Sequence, residues 1–279
     1  MNNSLNWTTG SKTSGQVMVN GAWLYYVREG AGDPLLLIHA GVADSRMWDD
    51  QFAVFARRYQ VICFDLRGFG RSDMPSGSFA NFADVRALLD RLQIESAYIL
   101  GLSFGSSIAL DFALSYPERV KALILAAPSV SGSQPSTRIK QFWDAEDTLL
   151  AEGKLEEATE LNLRLWVDGP QRRPEEVDPR VRERVRQMQM DTFRKEIPDD
   201  IEEIDLDPPA AVRLGELTMP VQVLVGELDL EEKVALARRL ALEVPDGRLT
   251  IIPRAAHMLN MEQPQQFNEQ VLNFLDPKI

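Results

Sequence analysis

Residues 97–105 read AYILGLSFG, and they contain the strongest structural signal in the chain. An apolar run typical of a buried strand ends in Gly101-Leu102-Ser103-Phe104-Gly105, and a helical pattern begins at Phe104. A serine at a sharp strand-to-helix turn crowds its neighbours, and a glycine two residues to either side relieves that crowding. Such a turn would raise the Ser103 hydroxyl above the sheet and place the Phe104 N–H at a helix N-terminus, where it can bind an oxyanion. Ser103 is therefore a candidate nucleophile.

Apolar runs of strand length alternate with helical patterns on both sides of this turn. Continuous apolar runs suit strands that are covered on both faces, as in parallel sheets. They occur at Pro34–Ala40, Val61–Leu66, Ala97–Leu102, Val120–Ala127, Val221–Gly226 and Arg248–Pro253. Helical patterns occur at Met47–Arg58, Phe82–Leu92, Phe104–Tyr116, Glu231–Val244 and Gln265–Leu275. With a hairpin of Gln16–Asn20 and Ala22–Arg28, this alternation predicts an α/β fold with a mostly parallel, doubly wound sheet of eight strands.

One segment, residues 131–216, does not follow this alternation. It contains three helical patterns, at Arg138–Glu152, Leu155–Leu165 and Val181–Lys195. Because the segment is inserted between two strands of the sheet, we expect it to cover the strand ends as a helical cap. The chain is thus predicted to consist of a disordered lead (1–15), an α/β core (16–130 and 217–279) and the inserted cap (131–216).

The composition limits the possible partners. The chain has 279 residues and a net charge of −12, which argues against nucleic acid and anionic membranes, since both attract clustered cations. A single cysteine, Cys63, excludes an internal disulfide. The start of the chain lacks the apolar core of a signal peptide, and no apolar run approaches the length of a membrane span. We therefore expect a cytoplasmic monomer or small homo-oligomer that acts on a small molecule.

The chain has only two histidines, so a serine nucleophile has few possible bases. His257 follows the late strand Arg248–Pro253 in a loop that can reach over the serine, which makes it the better candidate. His39 ends the strand Pro34–Ala40 and is expected either to hold its own loop by hydrogen bonds or to contact the substrate. Two histidines in separate roles leave no ligand set for a metal ion, so no metal or cofactor is expected.

A histidine base needs a carboxylate that orients its ring and stabilises the imidazolium. Asp229 lies a few residues after the strand Val221–Gly226, where its loop can approach the loop of His257. Glu227 is the competing acid, and Asp229 could instead cap the following helix. The chain order Ser103, Asp229, His257 is the order of nucleophile, acid and histidine expected of one fold in particular.

Five motifs together resemble those of the α/β-hydrolase family. They are GLSFG at 101–105, HAG at 39–41, DLRGFGRSD at 65–73, GELD at 226–229 and AAHMLNMEQP at 255–264. The resemblance covers about residues 16–276 and is strongest to capped bacterial serine esterases and enol-lactone hydrolases. It implies the α/β-hydrolase fold with an inserted helical cap, and a triad of Ser103, His257 and Asp229. A serine at position 103 excludes the dehalogenases and epoxide hydrolases of this fold, which need an aspartate there.

The resemblance also implies where the substrate binds. The oxyanion would be bound by the backbone N–H groups of Phe104 and Gly41. Because Ala40 stands where many members of the family carry glycine, the N–H of Val42 is an alternative second donor. Candidate substrate contacts are His39, Val42, Trp166 and Met258, of which Trp166 could line the cap side of the pocket or simply pack. The charged residues of segment 65–73 are expected to anchor a loop.

These expectations combine into one functional hypothesis. The chain is predicted to be a serine hydrolase that cleaves a carboxylic ester or lactone through an acyl-enzyme. Two alternatives stay open from the sequence: carbon–carbon bond hydrolysis or lyase chemistry with the same triad, and a ligand receptor with low turnover.

Overall fold

The structure, a computed structural model, describes residues 10–276. Ten strands run through these residues: β1 (Gly10–Val19), β2 (Ala22–Gly30), β3 (Pro34–Ile38), β4 (Gln60–Phe64), β5 (Gly77–Phe79), β6 (Ala97–Leu102), β7 (Val120–Ala126), β8 (Ile201–Glu203), β9 (Val221–Gly226) and β10 (Gly247–Ile252). Eight of them form one sheet in the order β1-β2-β4-β3-β6-β7-β9-β10. The pairs β1–β2 and β2–β4 are antiparallel, and the other pairs are parallel. The mostly parallel eight-stranded sheet is confirmed.

Helices cover both faces of this sheet. Their bounds are α1 (Asp49–Phe55), α2 (Asn81–Arg91), α3 (Phe104–Ser115), α4 (Thr137–Ala151), α5 (Leu155–Asn162), α6 (Pro179–Phe193), α7 (Glu231–Glu243), α8 (Leu259–Glu262) and α9 (Pro264–Leu275). A π-helical turn, Leu163–Asp168, directly continues α5. None of the described helices is both long and apolar enough to cross a membrane.

The central strands are apolar throughout because both of their faces are buried. In β3, Leu36 and Ile38 belong to the hydrophobic core on one side of the sheet, with residues of α2, α3 and α7. Leu35 and Leu37 belong to the core on the other side, with residues of α1 and α9. Since successive side chains of a strand point to opposite faces, a continuous apolar run divides into two such sets.

The first strand of the sheet begins earlier in the chain than the sequence predicted. Strand β1 begins at Gly10 and pairs with β2 from there, so residues 10–15 belong to the sheet and not to the predicted disordered lead. Residues 1–9 lie outside the described part of the chain. The stretch 10–15 reads GSKTSG, and its residues are mostly exposed because β1 is an edge strand with a partner on one side only. An edge strand of this kind needs no apolar run, so its composition is that of a loop.

Residues 131–216 lie between β7 and β9 and contain α4, α5, the π-helical turn and α6, in line with the predicted helices. The segment is not wholly helical, since β8 pairs in parallel with β5 of the preceding part of the chain. Its two ends meet on α3, where the Ser131 hydroxyl donates to Asp111 Oδ1 at 2.6 Å and accepts the Ala210 N–H at 3.0 Å. We interpret this segment as the cap.

The charged segment 65–73 anchors its own loop, as expected. The buried Asp65 carboxylate accepts the backbone N–H groups of Ser45 and Arg71, each at 2.8 Å. The Arg67 guanidinium pairs with Asp84 of α2, and both side chains are buried. These contacts hold the loop after β4 against the rest of the core.

Candidate active site

The turn at Ser103 joins β6 to α3 in a backbone conformation that few residues adopt. Ser103 has φ 56° and ψ −114°, a left-handed conformation that is strained for any residue except glycine. A β-carbon at Gly101 would lie 2.1 Å from the Gly105 carbonyl oxygen, and one at Gly105 would lie 2.3 Å from the Ile38 carbonyl oxygen. Both positions therefore require glycine, and the packing around them holds Ser103 in its strained conformation.

His257 lies beside this serine in the loop between β10 and α8. Its Nε2 is 2.8 Å from the Ser103 Oγ, and its Nδ1 is 2.9 Å from Asp229 Oδ2. The other carboxylate oxygen of Asp229 accepts the Leu230 N–H at 2.8 Å. His257 and Asp229 are both almost fully buried. With the proton on Nδ1, the ring donates to Asp229 and its Nε2 can accept the serine proton.

The loops after β9 and β10 bring Asp229 and His257 together, because these two strands are parallel neighbours in the sheet. The Leu228 N–H donates to the Ala255 carbonyl at 2.8 Å, which joins the loop of Asp229 to the loop of His257. A β-carbon at Gly226 would lie 2.1 Å from the Ala256 carbonyl oxygen, so only glycine permits this approach. Glu227, the competing acid of the sequence analysis, is exposed and accepts the backbone N–H of Arg254 instead. Geometry therefore favours Asp229.

Backbone N–H groups lie near Ser103 on the side opposite His257. Phe104 is the first residue of α3, so its N–H has no acceptor within the helix. Within residues 10–276, no hydrogen-bond acceptor is found for the N–H of Gly41 or of Val42. A β-carbon at Gly41 would lie 3.5 Å from the Phe104 Cβ, so the two segments are in close proximity. This arrangement suits the binding of an oxyanion and leaves both predicted second donors available.

His39 holds the loop that carries these donors. The ring is fully buried; its Nδ1–H donates to the Ala40 carbonyl at 2.8 Å and its Nε2 accepts the Leu66 N–H at 2.9 Å. Burial lowers the pKa of His39, although the nearby Asp65 carboxylate counteracts this. A neutral His39 with both nitrogens engaged agrees with its expected role in bracing the loop.

A cavity of about 1210 Å³ opens above Ser103. Ser103, His257, Gly41, Val42 and Phe104 lie in its floor, and the opposite wall comes from the cap segment. That wall is formed mainly by apolar side chains, among them Ile139, Phe142, Trp143, Leu150 and Trp166.

Two of the four predicted substrate contacts line this cavity, and two do not. Val42 and Trp166 line it. Met258 is fully buried in the hydrophobic core beneath the loop, with Leu259, and His39 is enclosed by the bonds described above. Neither Met258 nor His39 lines this cavity, so substrate contact by these two residues stays a prediction that the cavity does not support. The Met258 side chain points away from the cavity that its neighbour His257 faces.

Trp166 contacts the histidine directly. The centroids of the Trp166 and His257 rings are 4.6 Å apart, and the edge of Phe142 packs against the indole. Trp166 lies in the π-helical turn, and such turns are frequent at functional sites. The fully buried Asp168 anchors this turn, because its carboxylate pairs with Arg164 and Arg182, each at 2.7 Å. The sequence left the role of Trp166 open and gave no signal for this turn.

Two further residues near the serine escaped the sequence analysis. The buried Ser106 hydroxyl donates to the Ser103 carbonyl at 2.7 Å and accepts the Ser129 N–H at 2.8 Å, which ties the turn to the loop after β7. Lys233, in the first turn of α7, donates from Nζ to the Ser129 Oγ at 2.8 Å, and its ammonium lies 5.8 Å from the centroid of Trp166. Its position four residues after Asp229 was the only available sequence signal.

Over residues 10–276, no three His, Cys, Asp or Glu side chains are grouped as a metal ion would require. The expectation that the reaction needs no metal or cofactor stays a prediction.

Comparison with known proteins agrees with this fold. Residues 33–264 match the family model described as the alpha/beta hydrolase fold, and the chain therefore belongs to the α/β-hydrolase family. It is similar to 3-oxoadipate enol-lactonase 2 of Acinetobacter baylyi, with 29% identity over 89% of this chain and 91% of that protein. It is 28% identical to a 2-hydroxy-6-oxononadienedioate/2-hydroxy-6-oxononatrienedioate hydrolase of Paraburkholderia phymatum, over 90% of each chain.

Among solved structures, the fold is similar to that of the enol-lactonase of Burkholderia xenovorans LB400. The TM-score is 0.76 at 22% sequence identity, and the match covers 94% of this chain and 99% of the other. The family model and the names of these relatives support a hydrolase.

Proposed function

We propose that this protein hydrolyses a carboxylic ester or a lactone through an acyl-enzyme on Ser103. The observation that carries the proposal is the hydrogen-bonded chain from Ser103 Oγ through His257 to Asp229 in the floor of a large cavity. Nucleophile, base and orienting acid are at the distances that acyl transfer needs.

In the first half of the reaction, Ser103 Oγ attacks the carbonyl carbon while His257 Nε2 takes the serine proton. The negative charge that develops on the carbonyl oxygen is bound by the N–H of Phe104 and by that of Gly41 or Val42, and the positive end of α3 adds to this stabilisation. Asp229 keeps the histidine ring oriented and stabilises the imidazolium. His257 then donates its proton to the leaving alcohol, which leaves the acyl group on Ser103.

In the second half, a water molecule attacks the acyl-enzyme while His257 takes its proton. The same N–H groups bind the second oxyanion. As this intermediate collapses, the bond to Ser103 Oγ breaks, His257 donates its proton to Oγ, and the acid is released. For a lactone, alcohol and acid are parts of one product molecule. The similarity to 3-oxoadipate enol-lactonase 2 supports the ester and lactone class.

A second candidate is the carbon–carbon bond hydrolysis left open by the sequence. It is favoured by the similarity to the 2-hydroxy-6-oxononadienedioate/2-hydroxy-6-oxononatrienedioate hydrolase, which matches as large a share of this chain. Parallel assays with p-nitrophenyl esters, lactones and oxo-dienoates separate the two candidates. Binding of any of these with thermal stabilisation but without turnover would instead indicate a ligand receptor.

The proposal is tested with Ser103→Ala and a p-nitrophenyl butyrate assay. Without its nucleophile the enzyme should lose on the order of 10³-fold or more in kcat. Its Tm should stay close to that of the wild type, since only one hydroxyl is removed. Ser115→Ala is the matched control, because Ser115 lies at the far end of α3 and should leave kcat unchanged. Retention of activity in Ser103→Ala would overturn the proposal.

A further inference from the structure

The cavity wall holds a cation, Lys233, whose hydrogen bonds within residues 10–276 go to neutral oxygens. The Lys233 ammonium donates to two neutral oxygens, the Ser129 Oγ at 2.8 Å and the Pro128 carbonyl at 3.2 Å. Within residues 10–276, no carboxylate lies within 4 Å of its Nζ. Burial lowers the pKa of Lys233, while Asp229 and Glu232 oppose this from a greater distance. A buried ammonium that has only neutral partners gains free energy when an anion joins it.

The two nearby carboxylates are both engaged elsewhere. Asp229 receives the Nδ1–H of His257 and the N–H of Leu230. Glu232 accepts the Ser136 hydroxyl at 2.7 Å. Neither carboxylate is therefore positioned to neutralise Lys233, and the ammonium has a third N–H to offer.

Lys195, the other lysine that lines the cavity, has different surroundings. Its Nζ donates to the Ser72 and Phe69 carbonyls and so connects the end of α6 to the loop after β4. Four carboxylates act on its charge, those of Asp44, Asp65, Asp73 and Asp191. An anion at Lys195 would meet these carboxylates, so Lys195 does not offer a comparable site.

Lys233 is also close to the reacting groups. Its Nζ is 5.8 Å from the centroid of Trp166, and that ring is 4.6 Å from the ring of His257. A group bound to Lys233 would thus lie on the cavity wall next to the indole, one aromatic ring away from the histidine. Apolar side chains make up much of the remaining wall and suit the carbon chain of a substrate, although the charged side chains of Glu146, Lys195, Glu232 and Arg239 also line the cavity.

We propose that Lys233 binds a carboxylate of the substrate, so that the enzyme acts on esters or lactones that carry a negative charge a short carbon chain away from the scissile bond. This inference rests on the proposed function of Ser103. Ser129 orients the ammonium, and Trp166 limits the access of water to the ion pair, which strengthens it.

The test compares two esters that differ only in charge, p-nitrophenyl hydrogen adipate and its methyl ester. Lys233→Met should lower kcat/KM for the anionic ester by about 10- to 100-fold, the effect of losing one charge-assisted hydrogen bond. The loss should appear mainly in KM, and the methyl ester should change by less than about 3-fold. Lys233→Arg should retain most of the preference for the anionic ester, because it keeps the charge.

Arg239→Gln is the matched control. It removes the same charge from the same helix and the same cavity wall, but its guanidinium already pairs with Glu243. The preference for the anionic ester should persist in this variant. Equal losses for both esters in Lys233→Met, or no loss for either, would overturn the proposal.

A binding measurement separates failure of this inference from failure of the proposed function. Free adipate should raise the Tm of the Ser103→Ala protein, and the shift should vanish in Ser103→Ala/Lys233→Met. If the wild type hydrolyses neither ester but this shift is present, the acyl-enzyme proposal fails while the anion site stands. If both esters are hydrolysed and no shift occurs, the anion site fails alone.

Discussion

The floor and the cap wall of the cavity are held in place by different interactions. In the floor, backbone segments approach so closely that Gly101, Gly105 and Gly226 have no room for a β-carbon. In the cap wall, the π-helical turn with Trp166 is held by the buried Asp168 and its two arginines. The floor therefore leaves no room for an added β-carbon, whereas the cap wall combines buried ion pairs with apolar packing around Leu163 and Val167.

This difference indicates that the two regions have different roles. The reacting groups need fixed distances, because acyl transfer is sensitive to displacements of about 1 Å. The cap wall only has to enclose the substrate, so a small change in its position should affect catalysis less. Arg182 bridges Asp168 of the π-helical turn and Glu160 of α5 from its place on α6. Mutations in the two regions should therefore affect different properties.

The largest effect is expected in the floor, for Gly105→Ala. The added methyl group would lie 2.3 Å from the Ile38 carbonyl and 2.5 Å from that of His39, so the backbone must move. We expect a loss of about 3 kcal/mol or more in the free energy of unfolding, together with nearly all activity. Urea denaturation measures the loss in the free energy of unfolding. Gly215→Ala is the control, since a β-carbon there meets no atom within 4 Å. Equal stability of the two variants would contradict the close-packed floor.

A smaller effect is expected in the cap wall, for Asp168→Asn. The neutral amide leaves the charges of Arg164 and Arg182 without their buried partner, which should cost about 2 kcal/mol of stability. Because the floor stays intact, KM for p-nitrophenyl butyrate should rise severalfold while kcat changes little. Steady-state kinetics and urea denaturation check both.

The control for this variant is Arg173→Gln, which breaks an exposed cap ion pair with Glu176. It should change stability by less than about 0.5 kcal/mol. If kcat falls as much in Asp168→Asn as in Gly105→Ala, the floor and the cap wall are not independent.

The smallest effect is expected where the cap joins the core, at Asp111 of α3. Burial raises the pKa of Asp111 to about 6, against the opposing hydrogen bond from Ser131. Between about pH 4 and pH 6 the folded protein holds a proton on Asp111 that the unfolded chain has released, so stability falls as pH rises through this range. Asp111→Asn keeps the group neutral and should stabilise the protein measurably at pH 7 and by almost nothing at pH 4. Thermal unfolding at both values checks this, and an equal gain at both would contradict it.

The floor was predictable from sequence because its determinants are local. The glycines around Ser103 lie within five residues, and the strand and helix on either side of them have distinct apolar patterns. The loops of Asp229 and His257 each follow a recognisable strand, and neighbouring parallel strands bring their ends together. These residues therefore came together in the structure as the sequence analysis expected.

The cap wall was less predictable because its determinants are distant in sequence. The Arg182–Asp168 pair joins two helical elements, and no pattern in either marks a π-helical turn at Trp166. The direction of a side chain in a loop is equally hidden, which is why the sequence did not show that Met258 packs in the core while its neighbour His257 lines the cavity. Lys233 lies among other charged residues of α7, and only the structure separates it from those that face solvent.

We propose that Ser103 forms a covalent acyl intermediate with help from His257. Treatment with a fluorophosphonate followed by peptide mass spectrometry tests it most directly, because such reagents label activated serines. We predict one adduct on Ser103 in the wild type, none at this position in Ser103→Ala, and labelling slowed on the order of 10³-fold or more in His257→Ala. An adduct on another residue, or ester hydrolysis that persists after complete labelling of Ser103, would contradict the account.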